Sequence, residues 1–153
     1  MARVVHLFRS PKKHTGMEEL REVCAIENHG FEGCAHARPA GKRQVLLMDV
    51  ETLRQMNLTP GMIRENITTE GISVNTLKAG QKLSLGEVEL EVSAVCEPCE
   101  LMEGIRPGLM TALLGRRGMM CRVVKGGMLR QGDEIEVDSL KSVGSNQPST
   151  VNS

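Results

Sequence analysis

Apolar positions along the chain fall in short runs separated by glycine, proline and polar turns, and this spacing sets the elements that can form. Residues 3–8, RVVHLF, read as an opening strand, followed by a basic, turn-rich loop from Ser10 to Gly16. Residues 19–26 read as extended, with Val23, Cys24 and Ile26 apolar. The segment from His29 to Gly41 is dense in Gly, His and Pro and predicts an irregular loop. Gln44–Met48 predicts a buried strand. Asp49 stands where it can N-cap a short helix over Val50–Met56, because its carboxylate can accept the unpaired amides of a first turn. Pro60-Gly61 breaks that helix.

One further turn is expected over Met62–Glu65, then extended chain over Ile67–Gly71. Gln81–Leu85 and Glu87–Val95 predict a hairpin around Gly86, with Val88, Leu90 and Val92 on one face and Glu87, Glu89 and Glu91 on the other. Cys96–Glu103 leaves that strand and starts a helical turn. Leu109–Leu114 predicts a short helix ending at Gly115. Met119–Lys125 and Glu134–Val137 are closing strands, with turns at Gly126-Gly127 and Gln131–Asp133. Many short strands with few helical turns predict a mainly β fold, a single β-barrel-like domain with a few short helices. No regular βαβ alternation supports a doubly wound sheet. The domain is expected to span residues 1–140, and the polar segment from Lys141 to Ser153, KSVGSNQPSTVNS, to be a disordered tail.

Lys+Arg and Asp+Glu balance at 19 each, which gives no broad attraction to nucleic acid or anionic membrane. Two Phe, with no Tyr or Trp, leave no base-stacking platform. The core must come from Val, Leu and Ile, with the ten Met as gap fillers. No apolar run approaches the ~20 residues of a membrane-spanning helix, and the first residues do not read as a secretory signal. Five Cys is an odd number without the spacing of a disulfide framework, so reduced thiols in the cytoplasm are expected.

Four segments carry candidate chemistry. Cys96-Glu97-Pro98-Cys99 follows a strand directly, and a CxxC can bind metal, run dithiol chemistry or present one nucleophilic thiolate; two unremarkable cysteines at a strand end is the plainer alternative. Cys24, Cys34, His36 and Cys121 are the other zinc candidates, but none completes a zinc-finger spacing. The Glu-rich strand and missing βαβ pattern fit a thioredoxin reading poorly. In Gly115-Arg116-Arg117-Gly118, adjacent arginines can meet a phosphate, or form an exposed basic turn. Arg43, in Lys42-Arg43-Gln44, can add anion-binding donors or be a solvated strand start. Arg64-Glu65-Asn66 offers donors to a polar ligand, or a helix C-terminus with its cap.

Together these segments resemble the MOSC family, the domain found at the C-terminus of molybdenum-cofactor sulfurases, in small bacterial proteins and in amidoxime-reducing enzymes. The resemblance runs over roughly residues 3–138. It rests on Gly30-Phe31-Glu32-Gly33-Cys34-Ala35-His36, Arg43–Met48, Pro60-Gly61 with Glu65-Asn66-Ile67-Thr68-Thr69, the CxxC, Gly115–Met119, Gly126-Gly127 and Gly132-Asp133-Glu134-Ile135. It implies a mainly β, barrel-like fold. It also implies that Cys99 is the family's characteristic cysteine, which carries sulfur or ligates molybdenum, with Cys96 beside it in the cofactor site. Arg64 and Asn66 match positions that hold the pterin's phosphate end in amidoxime-reducing relatives, and Asp49 lies in another pterin-contacting segment. Arg43, Arg116 and Arg117 are expected to add positive charge there, with both Arg116 and Arg117 lining the cleft of Cys99.

Cys34 stands where many small relatives have an acid, which puts an acidic role there in doubt and adds a thiol near the site. No aminotransferase-like domain is present, so the chain is not expected to extract sulfur with pyridoxal phosphate. The resemblance implies a molybdenum-cofactor binding or carrier protein with sulfurtransferase-type chemistry, and a cysteine desulfurase or molybdoenzyme as protein partner. A cofactor-dependent reductase and a non-enzymatic module of cofactor biosynthesis are the alternatives.

Overall fold

The computed structural model describes residues 2–12, 16–35, 41 and 44–138. The expected tail, with Arg43 and His36, lies outside the described residues. In chain order the elements are β1 (Ala2–Arg9), β2 (Glu18–Leu20), β3 (Glu22–Ile26), β4 (Gly30–Phe31), β5 (Val45–Asp49), α1 (Val50–Gln55) and β6 (Ile67–Glu70). A 3-10 turn at Val74–Thr76 precedes β7 (Lys82–Leu85) and β8 (Val88–Val95). Then come α2 (Leu101–Ile105), α3 (Leu109–Ala112), β9 (Met119–Lys125), β10 (Gly127–Arg130) and β11 (Glu134–Val137).

Seven strands close into a barrel in the order β11-β7-β8-β9-β5-β6-β1, with β1 returning to β11 through Ala2↔Ile135 and Arg3↔Glu134. β2 extends the sheet beyond β1, and β3, β4 and β10 form a separate three-stranded sheet. Val23, Ala25, Phe31 and Leu129 from that sheet join the same buried cluster as the barrel strands.

The barrel pairs are antiparallel except β5 with β6, which run parallel with Leu47 opposite Ile67. A parallel pair needs a crossover, and α1 with the turns after it supplies one. That crossover delivers the chain from Arg64 to Asn66 to the barrel beside β5.

β5 reads as a continuous apolar run because both its faces are covered. Val45 and Leu47 belong to the barrel core, whereas Met48 packs with Leu53, Leu58, Ile63, Met102, Leu109 and Leu113 beneath the helices. β8 has one wet face: Val88, Leu90 and Val92 are buried, and Glu91 pairs with Arg122 of β9. Asp49 caps α1 through Oδ2, which accepts from Thr52 N at 3.0 Å and Thr52 Oγ1 at 2.6 Å.

Candidate functional site

Where β8 ends, its ladder with β9 continues one step: Cys96 N donates to Gly118 O at 3.0 Å. Burial then alternates, with Cys96 and Pro98 buried and Glu97 and Cys99 exposed. The first turn-type bond of the segment comes only at Met102 N to Cys99 O, 2.9 Å. The CxxC thus lies ahead of the helical turn instead of inside it. The burial of Cys96 and exposure of Cys99 favour one exposed thiol acting alone over a dithiol pair. None of the five cysteines is disulfide-bonded.

Cys99 opens onto a cleft of about 400 Å³ lined by Gln44, Leu46, Arg64, Asn66, the CxxC segment, Leu101, Arg117 and Met120. Arg117 is 6% exposed, and its Nε and Nη1 lack hydrogen-bond partners among the described residues. A buried guanidinium with unmatched donors is costly unless something supplies acceptors. The nearby counter-charge is Glu65, fully buried, whose carboxyl burial holds above its ordinary value of 4.5. Bonds from Gly61 N at 2.9 Å and Thr68 Oγ1 at 2.7 Å, its own amide and the Arg117 charge oppose that shift.

Arg64 enters the cleft from a residue with φ of +67°, a left-handed conformation that a non-glycine residue rarely adopts. Arg64 N donates to Gly61 O at 3.0 Å, closing the turn, and Arg64 Nη2 donates to Ser10 Oγ at 3.2 Å. Backbone strain held by a turn and aimed at a cleft is a common mark of a functional position.

Asn66 lines the cleft but spends much of its amide on the fold. Its Oδ1 accepts from Leu46 N at 2.9 Å, and its Nδ2 donates to Phe8 O at 3.2 Å and to Cys34 Sγ at 3.6 Å. Asn66 therefore ties β5 to β1, and little of its donor capacity faces a ligand. Cys34 is buried behind it and also accepts from Ser10 N at 3.5 Å, so this thiol is one hydrogen bond removed from the cleft. Gln44 is clamped in the same way, with Val123 N donating to its Oε1 at 3.0 Å.

Two expected site residues lie elsewhere. Arg116, expected beside Arg117 in the cleft, is exposed and extends over Met56, with Nη1 3.7 Å from Met56 Sδ. The correction has a local cause. The turn at Gly115, φ +76°, is held by Arg116 N donating to Leu113 O at 2.8 Å, and this directs consecutive side chains to different sides. Asp49 is buried at the start of α1, where its carboxylate caps the helix instead of lining the cleft.

Sequence reasoning passed over Glu65 as the charge partner of Arg117; an acid immediately before the strand run Asn66–Thr69 was the available signal. A Cβ at Gly118 would lie 2.4 Å from Leu47 O, so glycine is required where the chain entering β9 runs tight beside its sheet neighbour β5. Cys121 is fully buried, with its thiol pushed up to about 12 by desolvation, which makes it an inert core group at neutral pH. No cluster of three or more metal-ligating side chains occurs among the described residues. No helix among them is long and apolar enough to cross a membrane.

A family model described as the MOSC domain matches residues 42–136. The YuaD protein of Bacillus subtilis has a similar structure, with a TM-score of 0.77 at 20% identity over 90% of this chain and 96% of that one. YiiM from Geobacillus stearothermophilus gives 0.75 at 18% identity, over 91% of this chain and 76% of its own. YiiM from Escherichia coli gives 0.66 at 18%, over 90% and 70%. At these identities the structural likeness is one of fold. A comparison with curated proteins gives no match.

Proposed function

The chain belongs to the MOSC domain family, which is associated with molybdenum-cofactor binding, and from that premise we propose that it binds or carries the molybdenum cofactor and accepts sulfur on Cys99. One observation carries this reading: an exposed thiol shares a 400 Å³ cleft with a buried guanidinium that has donors to spare. The residues fit the group. The pterin's phosphate is an anion that Arg117 and Arg64 would hold through charge-assisted hydrogen bonds. Arg43 precedes the cleft-lining Gln44 and is assigned the same role. Cys99 offers a soft thiolate, the ligand type that suits a thiophilic metal or sulfur exchange. When bound, the cofactor supplies a redox-active, thiophilic metal centre.

The remaining chemistry belongs to the chain. Leu46, Leu101 and Met120 line part of the cleft with apolar surface. The Cys99 thiolate attacks the outer sulfur of a donor persulfide, such as one on a cysteine desulfurase. A new S–S bond forms at Cys99, and the donor cysteine departs as its thiolate. The loaded Cys99 then surrenders that sulfur to a nucleophilic acceptor on the pathway to a molybdoenzyme and returns to a thiolate. Asn66 and Asp49 act as positioning residues, through β5 and α1.

The test is persulfide trapping with mass spectrometry after exposure to a desulfurase-borne persulfide. The wild-type protein is expected to gain the mass of one sulfur atom on Cys99. Cys99→Ser is expected to lose about ten-fold or more of that loading with an unchanged circular dichroism spectrum, because serine keeps the shape and removes the ionisable sulfur. Cys96→Ser is expected to lose less. Loading of Cys99→Ser at the wild-type level would overturn the proposal.

A further inference from the structure

The lining of the cleft also bears on which sulfur compounds Cys99 can use without a protein donor. A desulfurase persulfide is presented by its own protein and needs no anion site. Arg117 is nonetheless held 94% out of solvent with two nitrogens unpartnered among the described residues, and it lines the cleft into which Cys99 opens. Arg64 adds a second guanidinium from a strained turn. A thiol nucleophile lining one cleft with oxyanion-holding donors matches one chemical class: a small oxyanion that carries a transferable sulfane sulfur. Sulfate and phosphate satisfy the arginines but leave Cys99 idle; an organic persulfide satisfies Cys99 but leaves Arg117 unmatched.

Resting on the reading of Cys99 as a sulfur acceptor, we propose that the cleft takes thiosulfate-type anions as direct sulfur donors, with Arg117 and Arg64 holding the sulfonate end. The Cys99 thiolate attacks the outer sulfur of thiosulfate. A bond forms between Cys99 Sγ and that sulfur, and the bond from the outer sulfur to the sulfonate sulfur breaks. Its electron pair leaves with sulfite. Thiolate plus thiosulfate gives a Cys99 persulfide anion plus sulfite, with three negative charges on each side and no oxidant or reductant required. Charge becomes concentrated on the departing sulfite, where the guanidinium donors stabilise it. The same arginines would hold a pterin phosphate, so the two anions compete for the cleft.

Two carboxylates oppose a dianion. Glu65 is buried next to Arg117 and offsets part of its charge, and Glu97 lines the cleft from an exposed position. Glu97→Gln is therefore expected to lower KM for thiosulfate.

The experiment offers the purified, reduced protein two donors in separate arms: thiosulfate, and the persulfide of N-acetylcysteine amide, which lacks an oxyanion. Cys99 loading is read by mass spectrometry and sulfite release by a colorimetric assay, with cyanide as final acceptor for turnover. Thiosulfate is expected to load Cys99 with one sulfite released per sulfur gained. Sulfate is expected to inhibit the thiosulfate arm only. Arg117→Met is expected to raise KM for thiosulfate about ten-fold or more, the loss of a charge-assisted hydrogen bond, with little change in the organic arm. Sulfate competition on the wild-type protein supplies the same answer if that variant fails to fold. Loading by the organic persulfide but not by thiosulfate overturns this inference and leaves the Cys99 reading standing. Failure of both donors overturns both. Thiosulfate loading that is indifferent to sulfate overturns the role of the arginines.

Discussion

Glu65 and Arg117 are buried close enough to influence each other, yet Glu65 Oε1 and two Arg117 nitrogens have no hydrogen-bond partner among the described residues. The arrangement is a charge pair left incomplete at the cleft, which is costly for stability and useful for a ligand. It has a pH signature. The folded pKa of Glu65 is raised, first by desolvation, so the native state holds this proton more tightly than the unfolded chain does. Its contribution is fully present below the ordinary value of 4.5 and is lost as pH rises through the folded pKa. In that window one such group changes stability by at most about 1.4 kcal/mol per pH unit. Urea denaturation from pH 4 upward is expected to show wild-type stability falling relative to Glu65→Gln, which cannot titrate. Parallel pH profiles for the two proteins would show that Glu65 titrates normally. The sequence shows the two arginines of Gly115–Gly118 as equivalent; only the turn at Gly115 makes Arg117 a cleft residue and Arg116 a surface one.

At the scale of elements, the site depends on three close contacts. The chain entering β9 runs tight beside β5 at Gly118, the CxxC leaves β8 hydrogen-bonded to Gly118 O, and Asn66 fastens β5 to β1. Gly118→Ala would combine a Cβ 2.4 Å from Leu47 O with a φ of +103°. Overpacking costs about 1–3 kcal/mol and a strained backbone a similar amount, so a loss of at least ~2 kcal/mol is expected in chemical denaturation. Gly104→Ala is the contrast. That glycine lies in α2 with nothing within 4 Å of its notional Cβ, and alanine there is expected to stabilise by about 0.5–1 kcal/mol. Equal effects of the two substitutions would contradict the close approach of Gly118 to Leu47.

The strands were legible wherever local pattern sufficed: the alternation of β8, the apolar run of β5 and the Asp49 cap all read directly from residue order. β10 was not, because Gly126-Gly127 and Gln131–Asp133 read as turns and leave only Met128–Arg130 between them. Its pairing with β3 joins residues about a hundred positions apart, which no local pattern reveals. The 3-10 turn at Val74–Thr76 was missed for a related reason, since three residues carry no periodicity.

For the whole molecule, barrel closure turns dispersed segments into one site. The first strand pairs with the last, and the chain around residues 44–46, 64–66, 96–101 and 117–120 meets at a single cleft. The sequence showed these segments as separate motifs in family order. It could not show that Asn66 is largely spent on the backbone or that Asp49 stays with its helix, because both facts depend on partners brought by folding. The central claim is that this cleft holds the molybdenum cofactor. The most direct measurement is the molybdenum and pterin content of the full chain, purified without oxygen from cells that make the cofactor, beside Cys99→Ser and Arg117→Met prepared identically. The account predicts pterin and molybdenum in near-equal amounts on the wild-type protein, with pterin lost from Arg117→Met and molybdenum retention or sulfur loading lost from Cys99→Ser. Wild-type protein that carries neither, or variants that carry as much as the wild type, would contradict it.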